Sequence, residues 1–420
     1  MKLVHAADLH LDSPLRGLER YEGAPVEQIR GATRRALENL VDLCVEEDAR
    51  LLLLAGDLYD GNWKDYSTGL FFAKQMSRLR EAGIRVALIR GNHDAASQIT
   101  KHLRLPDNVL EFSQRKPETH VFEDLGIAVH GQSFATRDVT EDLAVRYPQA
   151  VPGVLNVGLL HTCATGREGH DPYAPCSVET LLSKGYDYWA LGHVHQREVL
   201  SKDPWIVFPG NVQGRHIRET GSKGATLIHV ADGRVAAVAH VALDVVRWAL
   251  CEVDATEATS ADDVVDLSRQ RLDAIAGEAE GRTLAVRVRL VGTTRAHEPL
   301  EADRDRWEQT LRAVANDVSG EGLWLEQVRF ETAPCLDPAE LAERDDALGQ
   351  LMCGLRAAVS DPGATQTLIE EFSELRRKLP HQVSEGTDGI RLDDPAVIRE
   401  ALVDVEHMLL PRLLSKRPRA

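Results

Sequence analysis

Short apolar runs that stop abruptly in polar clusters recur through the first half of the chain. Val86-Ala87-Leu88-Ile89 runs into Gly91-Asn92-His93-Asp94, and "RLLLLAGD" into Gly56-Asp57-Leu58-Tyr59-Asp60. "KLVHAA" is followed by Asp8-Leu9-His10, "VLNVGLLH" (154–161) ends in His161-Thr162, and "YDYWALGH" (186–193) leads into Gly192-His193-Val194-His195. Runs this short and this apolar read as strands buried on both faces. Residues 26–47 carry Ile29, Ala32, Ala36, Leu40 and Cys44 at helical spacing, and a second helix is expected over about 66–82. Strand–helix alternation of this kind predicts a layered α/β domain. In "GATLIHVADGRVAAVAHV", Asp232-Gly233 between two apolar runs predicts a hairpin.

After about residue 243 the pattern changes. "VVRWALCEVDA", "RTLAVRVRLVG" and "LWLEQVRFET" read as three strands separated by helices at about 261–278 and 303–317, a small α+β domain. "TAPCLDPAE" (332–340) reads as a linker, and the remainder is helical and charged. Asp394 as N-cap with Pro395 at the first helical position starts a helix whose apolar face is Val397, Ala401, Leu402, Val405, Met408 and Leu409. A basic tail (Lys416, Arg417, Arg419) follows. The expected organisation is 1–242, 243–333 and 338–420.

Composition changes this picture in three respects. The formal net charge of −17 argues against a broad basic surface coating nucleic acid, but bound cations can still recruit a phosphate-bearing substrate. No apolar run approaches the roughly 18–20 residues of a membrane span, and the start of the chain lacks a signal-peptide layout, so no membrane association is expected. The six cysteines are far apart and form no CxxC pair; a reducing, cytoplasmic setting is expected.

In open α/β sheets ligands bind at the carboxyl ends of strands. Five such ends would gather Asp8, His10, Asp57, Asn92, His161, His193 and His195, with His93 and Asp94 beside them. Asp8 and His10, like His193 and His195, are two apart and share a side of an extended chain. Imidazole with carboxylate suits first-row divalent ions. Two such ions about 3.5–4 Å apart can share a carboxylate, hold phosphoryl oxygens and supply the attacking water. Gly56, Gly91 and Gly192 would let the backbone turn or approach closely there. A lone DxH or HxH is common by chance; five matches in order, each directly after a strand, are not. His5, His130 and His229 lie inside apolar strands and read as core or surface histidines.

The ordered set Asp-x-His, Gly-Asp-x-x-Asp, Gly-Asn-His-Asp, an isolated His and Gly-His-x-His resembles the calcineurin-like metallophosphoesterases. "HAADLHLDSPLRGL" and "YDYWALGHVHQREVL…PGNVQGRHIRETGSKG" resemble their DNA-repair exonuclease branch, the SbcD family and YhaO-type proteins. The resemblance is close over roughly 1–240 and looser over the α+β domain. It implies an α/β fold: a layered calcineurin-like metallophosphoesterase core, a small α+β capping domain and a helical C-terminal region. It implies that Asp8, His10 and His195 hold one metal ion, that Asn92, His161 and His193 hold another, and that Asp57 bridges them. His93 would stand beside the scissile phosphate as the catalytic imidazole, with Asp94 fixing its ring. Some repair nucleases carry a histidine shortly after the bridging aspartate, where this chain has Asp60. Asp12 is either a support for the ligands or the cap of the turn "LDSP". Arg215 and His216 are candidates for phosphate contact, against a purely structural loop, and Trp63 and Lys64 either line the cleft or pack.

The implied function is a metal-dependent phosphodiesterase, a DNA exonuclease or endonuclease subunit of a DNA-repair complex. Its cofactors are two divalent metal ions, Mn2+ first, with Fe2+ or Zn2+ as alternatives. The implied partners are DNA, an SbcC/YhaN-like coiled-coil ATPase and a second copy in a homodimer. Two other readings stand beside it: a small-molecule phosphodiesterase or phosphatase with the same site, and a scaffold subunit whose helical tail docks a coiled-coil ATPase.

Overall fold

The computed structural model describes residues 1–13, 29, 31–60, 66–96, 104–164, 174–335, 345–378, 392–399 and 401–402. They divide into two compact units. The first comprises Met1–Cys251, Arg271–Val288 and Ala313–Gln327, and it contains every residue of the expected site.

Its strands are β1 (Lys2–Ala6), β2 (Ala49–Ala55), β3 (Arg85–Ile89), β4 (Val109–Glu111), β5 (Glu118–Phe122), β6 (Ile127–Gly131), β7 (Leu155–His161), β8 (Tyr188–Gly192), β9 (Glu198–Lys202), β10 (Trp205–Phe208), β11 (Gly224–Ala231) and β12 (Arg234–Ala242). They form two six-stranded sheets, β12-β11-β1-β2-β3-β4 and β5-β6-β7-β8-β10-β9. Strands β1 to β4 are parallel, and the β11–β12 hairpin adds to β1 antiparallel. In the second sheet β6, β7, β8 and β10 are parallel, with antiparallel β5 and β9 at the edges. The hairpin turn is Asp232-Gly233, both at positive φ (50° and 73°), as its sequence demands.

Alternation along each strand sets the layers. Leu52, Leu54, Val86 and Leu88 face helices α1 (Ala32–Glu46) and α2 (Tyr66–Glu81), against Leu37, Leu40, Phe72 and Met76. Leu51, Leu53, Ala87 and Ile89 face the second sheet, against Ile127, Val129, Leu155 and Val157. On that sheet's far side Leu160, Trp189, Leu191 and Phe208 pack with Tyr147 and Leu181. The result is helices, sheet, sheet, helix, which covers both faces of the central strands β1, β2, β3, β7 and β8. Each fully buried leucine contributes about 1.5–3 kcal/mol, so a Leu52→Ala change is expected to cost about 2–5 kcal/mol.

The strand ends expected to converge therefore belong to two sheets: those of β1, β2 and β3 to one, those of β7 and β8 to the other. A buried strand reads the same in one sheet as in two, because both faces are apolar in either case. The sequence pattern also assigned nothing to 104–153 or 196–210, which hold β4 to β6, β9 and β10. Ile29 is helical ahead of α1; residues 26–28 and 30 of that expected helix, and Trp63 and Lys64, lie outside the described residues.

Later strands β13 (Val246–Asp254), β14 (Thr283–Thr294) and β15 (Leu323–Pro334) form a three-stranded sheet in that order, with helices at Ala261–Gly277 and Arg304–Ser319, as the sequence predicts. The second unit comprises Glu252–Gln270, Arg289–Arg312 and Val328–Ala420. Within it Arg289 pairs with Glu252 and Glu331. Helices follow at Ala347–Ser360, Pro362–Glu371 and Ser373–Lys378. Asp394 caps its helix as expected, accepting from Ala396 N at 2.9 Å; Val405, Met408, Leu409 and the basic tail lie outside the described residues.

Candidate metal centre

The chain leaves each strand sharply. Asp8, His10, Asp57 and His193 all have positive φ (52°, 42°, 54° and 102°), a region non-glycine residues enter only where the surroundings force them. The turns stack on one another: Asp8 N donates to Gly56 O and His10 N to Asp57 O, both at 3.0 Å. His193 N in turn donates to both oxygens of Asp8 (3.1 and 3.0 Å). Two glycines permit this approach. A Cβ on Gly91 would lie 2.2 Å from Asp57 Oδ1, and one on Gly192 only 2.0 Å from Ala55 O.

The seven expected ligands come together as two nests. Asp8, His10 and His195 offer donor atoms within 4.8 Å of one another, as do Asp57, His161 and His193. Asn92 joins the second nest, its Oδ1 lying 2.9 Å from His161 Nε2. Asp57 stands between the nests: its Oδ2 is 3.8 Å from His10 Nε2 and 3.5 Å from His161 Nε2. All but His193 and His195 are buried.

The hydrogen-bonding chemistry of these atoms calls for cations. His161 Nδ1 donates to Ala55 O at 2.9 Å, so the neutral ring turns an Nε2 lone pair toward Asn92 Oδ1. His195 Nδ1 donates to Glu219 at 2.7 Å, which turns its Nε2 toward His10 Nε2, 3.1 Å away. His10 Nδ1 has no hydrogen-bond partner among the described residues, so neither tautomer satisfies both nitrogens of that ring. Burial holds the His10 and His161 rings below the usual imidazole range, and burial together with Asp57 raises the Asp8 carboxyl well above the carboxylate range. Acceptors facing acceptors in a dry site are unfavourable without a positive charge between them. Mixed nitrogen and oxygen donors fit divalent first-row ions.

His93 lies in the short helix α3 (Asn92–Ala96). Its N–H donates to Asp57 Oδ1 at 3.0 Å, and its ring Nδ1 lies 2.8 Å from Asp60 Oδ1. The ring is partly exposed (30%). Burial lowers the His93 pKa, but the bond to Asp60 and the charges of Asp57, Asp60 and Asp94 outweigh it, and the net shift is upward. Burial works against the Asp60 charge, yet the bonds from His93 and Ser13 hold its carboxyl down at about 2.

Asp94 was expected to fix the His93 ring, and here the structure differs. Asp94 Oδ1 accepts from Leu58 N (2.9 Å) and Tyr59 N (3.1 Å), and Oδ2 from Gly91 N (3.1 Å). It ties the turn after β2 to the turn after β3, and burial pushes its carboxyl up to about 7. The carboxylate bonded to His93 Nδ1 is Asp60. Asp12 pairs with Arg34 and accepts from Thr68, joining α1 to α2. Arg215 is nearly buried (14% exposed) and its guanidinium engages Glu219, with Asp60 Oδ2 at 3.8 Å; His216 is exposed, 3.6 Å from Glu219. Glu219 itself was missed. It lies 24 residues beyond His195 in an ordinary polar loop, and no local pattern marks it.

Residues 1–197 match the family described as calcineurin-like phosphoesterase, and residues 248–333 match the middle domain of metallophosphoesterase YhaO. The chain belongs to the calcineurin-like metallophosphoesterases, hydrolases acting on phosphoester bonds. Within that family it is similar to the uncharacterized metallophosphoesterase YhaO of Bacillus subtilis (strain 168), with 36% identity over 335 residues covering 79% of this chain and 81% of that one. It is 26% identical over 213 residues to the DNA double-strand break repair protein Mre11 of Methanopyrus kandleri, covering 46% of this chain and 44% of the other. A solved dimetal phosphatase from Danio rerio is more distant, 13% identical with a TM-score of 0.34, covering 55% of this chain and 93% of that one. Among the described residues no helix is long and apolar enough to cross a membrane.

Proposed function

We propose that this chain is a divalent-cation-dependent nuclease: a phosphodiesterase that cleaves DNA, as exonuclease or endonuclease, within a repair complex. One observation carries the reading, namely that Asp57 stands between two nests of acceptors with the His93–Asp60 pair beside it. Asp8, His10 and His195 would hold one ion and Asn92, His161 and His193 the other, with Asp57 standing between the two sets. Mn2+ is the ion proposed, with Fe2+ and Zn2+ compatible with the same donors. When bound, the ions supply Lewis acidity, neutralising the phosphoryl oxygens and activating the attacking water.

The chain's own residues do the rest. Water attacks phosphorus in line, and the bond from phosphorus to the sugar oxygen breaks. His93 hands its proton from Nε2 to that leaving oxygen. Asp60, on Nδ1, orients the ring and stabilises its protonated form. Asp94 acts one step back, holding together the turns that carry Asp57 and His93. Arg215, turned toward Glu219 and Asp60, and exposed His216 remain candidates for the outer phosphate oxygens.

DNA is favoured over a small diester by the similarity to an Mre11 repair protein and by the YhaO middle-domain match beyond the catalytic domain. The family matches at 1–197 and 248–333 support a catalytic domain at 1–242 and a capping α+β domain at 243–333, and a helical region at 338–420 is proposed beyond them. A net charge of −17 gives the chain no net attraction for a phosphate backbone, so a coiled-coil ATPase is proposed as the DNA-binding partner; a second copy and a cytoplasmic setting belong to the same reading.

The test offers the full chain, with Mn2+, labelled duplex and single-stranded DNA beside bis-p-nitrophenyl phosphate. Cleavage of DNA that disappears in His93→Ala is expected. Hydrolysis of the small ester alone would leave a small-molecule phosphodiesterase.

A further inference from the structure

We propose that Glu219 is the positioning residue of the nest formed by Asp8, His10 and His195, holding His195 in the one tautomer that turns a lone pair toward the ion. The inference rests on the two-ion reading and names a residue which that reading does not use.

Glu219 is buried, and its carboxylate oxygens are engaged on both sides. Oε1 accepts from His195 Nδ1 at 2.7 Å and from Arg215 Nη2 at 2.9 Å. Oε2 accepts from Arg215 N at 2.8 Å and from Asn211 Nδ2 at 2.9 Å. The donors on Oε2 fix the carboxylate independently of His195. Arg215 supplies a buried counter-charge, and Asn211 is paired through its backbone with Ala7, next to Asp8. The backbone of His195 is held as well, since Lys223 Nζ donates to its carbonyl at 2.9 Å. Ring and main chain are thus fixed by two residues of one loop, Glu219 and Lys223.

At His161 in the second nest the corresponding partner is the main chain. There His161 Nδ1 donates to Ala55 O, a main-chain carbonyl at the end of β2 that no substitution removes. The two nests therefore differ in a way mutation can separate. A carboxylate on the far nitrogen of a ligand histidine fixes the ring and raises its basicity, and losing such a partner weakens metal affinity about 10–100-fold.

The experiment uses the full chain stripped of metal. Isothermal titration with MnCl2 is expected to resolve two binding steps in the wild type. In Glu219→Ala one step should weaken about 10–100-fold while the other stays at its wild-type affinity. Glu219→Gln, which keeps an acceptor for Nδ1–H without the charge, should fall between. Long-range proton–nitrogen NMR of the same metal-free samples supplies a readout independent of turnover: the His195 ring should be protonated at Nδ1 in the wild type and lose that preference in Glu219→Ala. Wild-type affinities at both steps in both variants would overturn the proposal. So would an Nε2-protonated His195 in the wild type. Fewer than two ions bound per wild-type chain would instead sink the two-ion reading, and the NMR experiment would still decide whether Glu219 sets the tautomer.

Discussion

His5 and His161 are both fully buried on strands of the same unit, and burial lowers the pKa of both, to about 3 for His5. Their second nitrogens differ. His5 accepts from Tyr188 Oη on Nδ1 (3.0 Å) and donates to Leu191 O from Nε2 (3.1 Å). His130 is equally satisfied, by Thr119 at 2.8 Å and Asn156 at 3.0 Å. His161 satisfies one nitrogen with Ala55 O and turns the other toward Asn92 Oδ1 and Asp57. A buried imidazole with two complementary partners is part of the core. One with a single partner and a lone pair among acceptors is waiting for a cation. Neither burial nor depressed basicity separates these classes; only the destination of the second nitrogen does.

Substitutions can break this division, beginning with the largest effect. His161→Ala should abolish hydrolysis of bis-p-nitrophenyl phosphate in the presence of Mn2+; turnover at the wild-type level would move His161 into the class of His5. His93→Ala should lower kcat by about 10²–10⁴-fold, the usual contribution of a positioned acid, with both ions still bound on titration. Asp60→Asn removes a bond between charged groups, worth about 1.5–3 kcal/mol, and so should lower kcat by about ten- to a hundredfold. Its pH–rate profile should shift relative to the wild type, which a purely structural Asp60 would not cause.

The core class should respond in stability instead. His130→Phe removes the bonds to Asn156 Oδ1, which keeps its bond from Val151 N, and to exposed Thr119, at a cost of about 0.5–1.5 kcal/mol by denaturant titration, with kcat unchanged. His5 should contribute an acid-sensitive component. The unfolded ring takes up a proton below about 6.5, its ordinary value, whereas the folded ring resists until about 3. Acidification therefore favours the unfolded chain, and stability present at neutral pH is lost as pH falls through 6.5. Between pH 6.5 and 5.5 the loss is about 1 kcal/mol, and the plot of Tm against pH should be flatter in His5→Gln over that interval.

Much of the site was legible because its grammar is local. A strand that ends in Asp-x-His or Gly-Asn-His-Asp announces its donors, and the histidines inside apolar runs were separable from those after them. What sequence could not assign were the supports. Asp94 adjoins His93 in the chain, yet its oxygens hold the N–H groups of Leu58, Tyr59 and Gly91. Asp60, 33 positions before His93, supplies the bond to the ring. Nor did the sequence indicate that the Arg215 guanidinium lies against buried Glu219.

The sequence by itself determined the strands that carry the site, the Asp232-Gly233 turn and the identity of the polar residues after each of those strands, and its ordered motifs carried the resemblance to the family. The strands and the turn follow from the side chains' own conformational preferences and from hydrophobic spacing over a few positions. Tertiary structure alone decided that the strands split into two sheets, which carboxylate meets which imidazole, and which ring nitrogen is left facing acceptors. Those outcomes depend on where loops from two sheets come within 3 Å of one another, and a hydrogen bond of that length leaves no trace in the spacing of residues along the chain.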